Sequence, residues 1–74
     1  MKITIKYCGM WGYRGKAQGV GDEILDKYPD VEVILEVGSA GQFDVFLEDV
    51  LIFSKDKTDR FPVSGEIISL MGEG

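Results

Sequence analysis

An α/β fold of order β-α-β-β-β-α, four strands in a mixed sheet with two helices, follows from three features of the sequence. Period-two alternation marks the strands at either end of residues 3–37. A stripe of apolar residues three and four apart lies between them. Two short apolar runs separated by a single dipeptide follow.

In the first strand Ile3, Ile5 and Tyr7 alternate with Lys2, Thr4 and Lys6, so one face is apolar and the other polar. Gly9 and Gly12 flank Met10 and Trp11, which reads as a loop with a sharp change of chain direction. Ala17, Val20, Ile24 and Tyr28 form the stripe of a helix that ends before Pro29. Gly15, Gly19 and Gly21 each cost roughly 0.5–1 kcal/mol relative to alanine in a helix interior, so packing must hold this helix and its first turns are expected to fray.

Val31, Val33, Leu35 and Val37 alternate with Glu32, Ile34 and Glu36 as a second strand. Gly38-Ser39-Ala40-Gly41 forms a loop. Phe43–Leu47 and Val50–Ser54 flank Glu48-Asp49, the spacing of a two-residue hairpin. Lys55–Arg60 is expected to be a charged connector, and Ser64 the N-cap of a short helix carrying Ile67, Ile68, Leu70 and Met71, ended by Gly72 and Gly74. The helix between the first two strands makes them a parallel pair. Short thioredoxin-like domains share this layout; periodicity alone also allows a ferredoxin-like sandwich.

Seventy-four residues allow one domain, 1–74, with a small core and a narrow stability margin. Thirteen acidic against eight basic residues give a net charge of −5, which opposes binding to a phosphate backbone. No secretory leader is evident, and no apolar run approaches the length of a membrane span, so the expected setting is cytoplasmic, with neither nucleic acid nor membrane as partner. A single cysteine excludes an internal disulfide, and the absence of histidine excludes His-based metal sites and Cys/His or Ser/His/Asp catalysis. No metal and no resident cofactor are expected. Asp22, Glu23, Asp26 and the pair Glu48-Asp49 read as solvated surface, and no glycine segment matches a phosphate-binding loop.

Cys8 is the residue left to carry chemistry. It stands where the first strand gives way to the glycine-bearing loop before a helix, and helix N-termini and nearby cations, here Arg14 and Lys16, favour thiolate over thiol. The competing reading is a buried cysteine that serves as a small apolar side chain. Trp11 beside Met10 either caps the end of the core or, if exposed, forms an apolar contact patch. Phe43 is expected near the Cys8 loop, more as core than as site.

The segment Ile5-Lys6-Tyr7-Cys8-Gly9-Met10-Trp11-Gly12-Tyr13 resembles the signature of the selenoprotein W-like (Rdx) family. Four further stations recur in order: Glu23 to Pro29, Gly41-Gln42-Phe43-Asp44-Val45, Phe53-Ser54-Lys55 and Arg60-Phe61-Pro62. The resemblance runs almost end to end. It implies a thioredoxin-like fold and a thiol or selenol redox centre in the loop after the first strand, with a glutathione-linked antioxidant role. By this resemblance Cys8 is the first redox residue and position 11 the second, with Gly9, Met10, Gly12 and Phe43 as binding residues around them. Glutathione or a protein thiol is the implied co-substrate.

Trp11 departs from the pattern, because tryptophan neither attacks nor resolves a disulfide. Two accounts fit it: the natural residue is selenocysteine, whose UGA codon has been rendered as Trp, or the chain is a variant working with one thiol. The codon at position 11 separates them, and UGG excludes the first. A different class of function also fits, a catalytically silent thioredoxin-like module that contacts proteins through the Met10–Trp11 loop.

Overall fold

The computed structural model describes residues 1–73. Four strands, β1 (Lys2–Cys8), β2 (Glu32–Gly38), β3 (Phe43–Leu47) and β4 (Val50–Ser54), form one sheet in the order β2-β1-β3-β4. β1 runs parallel to β2, and the β1–β3 and β3–β4 pairs are antiparallel. Helix α1 (Tyr13–Lys27) makes the crossover between β1 and β2. The expected architecture is therefore present, with one addition: Lys55–Arg60 is not all connector, because Lys55–Thr58 forms a short helix, α2, before α3 (Glu66–Glu73).

The alternation in β1 does the work its pattern implies. Ile3, Ile5 and Tyr7 are buried on one face with Val45, Phe43 and Phe53, and Ala17 and Ile24 of α1 and Ile67 and Met71 of α3 close over them. Burial of such side chains is worth about 1.5–3 kcal/mol each. α1 extends back to Tyr13 despite its glycines. Gly21 earns its place by proximity: a Cβ there would lie 3.1 Å from Val33 Cγ1, so the missing side chain lets α1 sit down on β2. Tyr28 does not join the stripe; it is half-exposed and its N–H closes the helix on the Ile24 carbonyl at 2.7 Å.

The hairpin turns at Glu48-Asp49, with Leu47 opposite Val50, and Glu48 takes the positive φ of 54° that the tight turn needs. Val45 pairs with Phe53 while Phe46 pairs with Leu51, so Ile52 is an extra residue in β4 and bulges the sheet. α2 exists because Ser54 caps it: the Ser54 hydroxyl accepts the Lys57 N–H at 3.4 Å, and Asp59 ends it at φ 58°.

The start of α3 is built differently from the expectation. Ser64 does not cap through its own oxygen; its hydroxyl donates to Glu23 at 2.8 Å, and Glu23 also accepts the Gly65 N–H at 2.9 Å. Glu23 is thus a clasp between α1 and α3, not solvated surface. Glu66 reaches back to accept the Val63 N–H at 3.0 Å, half of a capping box. Gly72 lies inside α3, and Gly74 falls outside the described residues. Among the described residues no helix is long and apolar enough to cross a membrane.

Candidate functional site

β1 ends at Cys8, at the same end of the sheet as the last residue of its parallel partner, Gly38. The Cys8 N–H donates to the Gln42 carbonyl at 2.7 Å, which ties the end of β1 to the β2–β3 connection. From there Gly9–Gly12 turn the chain into α1. Alternation would place Cys8 on the face opposite Tyr7, yet its side chain is fully buried. The Met10 N–H folds back and points at Cys8 Sγ, 3.4 Å away. Of the two expected cations, Lys16 has its Nζ 5.4 Å from the centre of the Phe61 ring, and Arg14 is exposed.

The rest of the loop faces outward. Met10 is 59% and Trp11 69% exposed, so Trp11 does not cap the core. Trp11 also holds a left-handed backbone conformation, φ 63°, followed by Gly12 at φ 75°. Glycine adopts this conformation at little cost, whereas a bulky residue there is a strained outlier. The ring rests over Gly41, where a Cβ would stand 3.7 Å from it, and meets Tyr13 edge-on at 6.1 Å. Val37, 69% exposed at the end of β2, extends the same apolar surface; a Cβ on Gly9 would come within 3.0 Å of it.

Of the site residues expected from the sequence, Cys8, Gly9, Met10, Trp11 and Gly12 therefore form one loop. Phe43 is core, almost fully buried opposite Tyr7. It reaches the loop only through other rings: Phe43 meets Phe61 at 5.2 Å, Phe61 meets Tyr13 at 4.9 Å, and Tyr13 meets Trp11. Lys55 Nζ stands 5.7 Å from the Tyr13 ring and 5.6 Å from that of Phe61, so with Lys16 two ammonium groups flank this ladder. Sequence reasoning missed the ladder and its lysines. The Arg60-Phe61-Pro62 and Phe53-Ser54-Lys55 stations carried the signal, but nothing local says that they meet Tyr13.

A second structural device holds the other side of the loop. The Gln42 side-chain carbonyl accepts the Ser39 N–H at 2.8 Å, and its amide donates to Asp44 at 2.9 Å. Gly38 makes room for that amide, since a Cβ there would run into it. Among the described residues no group of His, Cys, Asp and Glu is arranged to hold a metal ion.

The model of the Rdx family matches residues 2–73. A curated relative, migration and invasion enhancer 1 of Bos taurus, is 25% identical over 92% of this chain and 59% of its own length. The Mus musculus protein of the same name is 24% identical over 89% of this chain and 57% of its own. The chain thus spans less than two thirds of these relatives. Among solved structures, a selenoprotein W-related protein from Vibrio cholerae superposes with a TM-score of 0.92 at 20% identity, covering 97% of this chain and 92% of the other. A protein from Bordetella parapertussis gives 0.91 at 22% identity, covering 97% and 94%.

Proposed function

The chain belongs to the Rdx family, a thioredoxin-like, redox-type family, and from that premise we propose that it acts as a thiol redox protein through Cys8. The observation that carries the proposal is the placement of Cys8: the last residue of β1, at the entry to the loop that opens α1, with a backbone N–H aimed at its sulfur. Thiol–disulfide exchange is the reaction open to a lone cysteine. The Cys8 thiolate attacks one sulfur of oxidised glutathione or of a protein disulfide. A mixed disulfide forms, the original S–S bond breaks, and one thiolate leaves. The carboxylates of glutathione complement Lys16 and Lys55 on the adjacent ring ladder. Position 11 is where a second redox residue would resolve the adduct; with Trp11 there, a second external thiol must do so.

Incubation with oxidised glutathione followed by mass spectrometry tests this. The expected result is one glutathionyl adduct on Cys8, absent from Cys8→Ser. No mass gain at Cys8 between about pH 6 and 9, the range where protein thiols commonly ionise, overturns it.

The complete burial of Cys8 beside an exposed Met10–Trp11 pair favours a second reading, a binding module without redox turnover. Alkylation of native Cys8 separates the two. Modification well ahead of global unfolding supports the redox reading, and a thiol that reacts only in the unfolded chain supports the binding module.

A further inference from the structure

The two edges of the sheet are not treated alike. β4 is a five-residue edge with a bulge at Ile52, and it leads straight into α2. Such interruptions blunt an edge against pairing. β2 is a seven-residue edge, Glu32–Gly38, paired along its whole length with β1 and with no proline, no bulge and no shift in register. The Glu32 N–H bonds to the Met1 carbonyl at 2.9 Å, toward β1. Since the N–H and C=O of one strand residue point to the same side and alternate along the chain, those of Val33, Leu35 and Val37 face the open edge. Their side chains share the apolar face with Ile3, Ile5 and Tyr7, their register partners. Glu32 and Glu36 stand on the opposite face, in register with Lys2 and Lys6 of β1. The Lys6–Glu36 pair is long, 4.0 Å, and exposed, so it is worth little and leaves the Glu36 carboxylate open to a second cation from the edge side, where β2 has no cation of its own.

We propose that the β2 edge is a docking site for an extended segment of a partner protein in which basic and apolar residues alternate. A strand added to β2 completes hydrogen bonds to Val33, Leu35 and Val37, places its apolar residues beside these three side chains, and places Lys or Arg opposite Glu32 and Glu36. Charge complementarity selects this occupant over a second copy of the chain. Two β2 strands paired with their apolar faces together bring four carboxylates to one seam while Lys2 and Lys6 stay one strand further back on β1, and the two molecules each carry a net charge of −5. The bound strand extends to Val37 and Gly38, and Gly38 is the register partner of Cys8. The surface borders the Cys8 loop at Val37, but strand pairing uses no atom of Cys8 and functions whether or not Cys8 exchanges disulfides.

A cysteine-free peptide of about seven residues, alternating lysine and valine and flanked by proline to stop self-assembly, is titrated into the 15N-labelled protein. The expected result is saturable binding with slowed amide exchange at Val33, Leu35 and Val37, and about tenfold weaker binding of the glutamate–valine counterpart. Val37→Pro removes an outward N–H without touching the β1 ladder, and is expected to cost about tenfold in affinity at unchanged thermal stability. The double variant Glu32→Lys/Glu36→Lys is expected to reverse the preference between the two peptides, and it tests the same surface should Val37→Pro fold poorly. Equal binding of both peptides by the native protein and the lysine variant, protection confined to residues outside β2, or a β2-mediated dimer in sedimentation each overturns the proposal.

Discussion

At the scale of single residues, the site is held by small side chains and by backbone groups more than by charge. Cys8 is clamped between the Gln42 carbonyl on its N–H and the Met10 N–H on its sulfur. Gln42 in turn depends on Gly38, whose missing Cβ leaves space for the amide that bonds Ser39 and Asp44. Gly38→Ala is therefore expected to displace that amide and cost about 1–3 kcal/mol, at about 0.5–1.5 kcal/mol for each of the two hydrogen bonds lost. Gln42→Ala removes the same two bonds by another route, so the double variant is expected to cost much less than the sum of the singles. A double-mutant cycle in urea measures this directly; simple additivity would mean that the amide is not what Gly38 accommodates.

At the scale of elements, the strands and α1 were legible because each has a period and a face. β1 and the hairpin at Glu48-Asp49 match the alternation and the dipeptide spacing. What stayed hidden depends on partners far along the chain. α2 has no buried residue and so no apolar stripe to reveal it, only Ser54 and Asp59 at its ends. Glu23 reads as a solvated helix residue until Ser64 and Gly65 are brought to it from forty-one and forty-two positions away. The candidate site divides in the same way: the position of Cys8 in a strand-to-loop segment was readable, but its burial and the Tyr13–Phe61 ladder come from tertiary closure. The entry to α3 gives a pH prediction. Arg60 forks onto Glu66 at 2.7 and 2.8 Å, and with the Val63 N–H this holds the Glu66 carboxyl down at about 2. The unfolded chain releases that carboxyl's proton only near pH ~4.3. Its contribution to stability is thus complete above that value and is lost as the pH falls through the folded value near 2. Glu66→Gln is expected to flatten the acid limb of the stability curve in this window and leave its shape near neutrality unchanged. Urea midpoints recorded between about pH 2 and 5 check this, and an unaltered acid limb would assign the sensitivity to other carboxylates.

At the scale of the whole molecule, one small core supports both the fold and the thiol. A chain of 74 residues has a total stability on the order of 4–11 kcal/mol. Cys8 is as buried as Ile3, Ile5 and Val45, so its sulfur cannot take a glutathionyl group while the surrounding packing stays as it is. The part that yields is the Gly9–Gly12 loop, which already holds Trp11 at an unfavourable φ of 63° and leaves both Met10 and Trp11 exposed. An adduct on Cys8 then costs the Met10 N–H contact and the cover over the end of β1, which is a fold-wide loss because β1 is an interior strand that pairs with both β2 and β3. A loss of about 1–2 kcal/mol in a domain of this size lowers the thermal midpoint by roughly 4–16 °C. Calorimetry of the reduced protein and of the glutathionylated protein is expected to show a shift of that order, reversed by dithiothreitol. An unchanged midpoint would mean that the sulfur accepts a partner without opening the loop, and that oxidation state and stability are uncoupled in this fold.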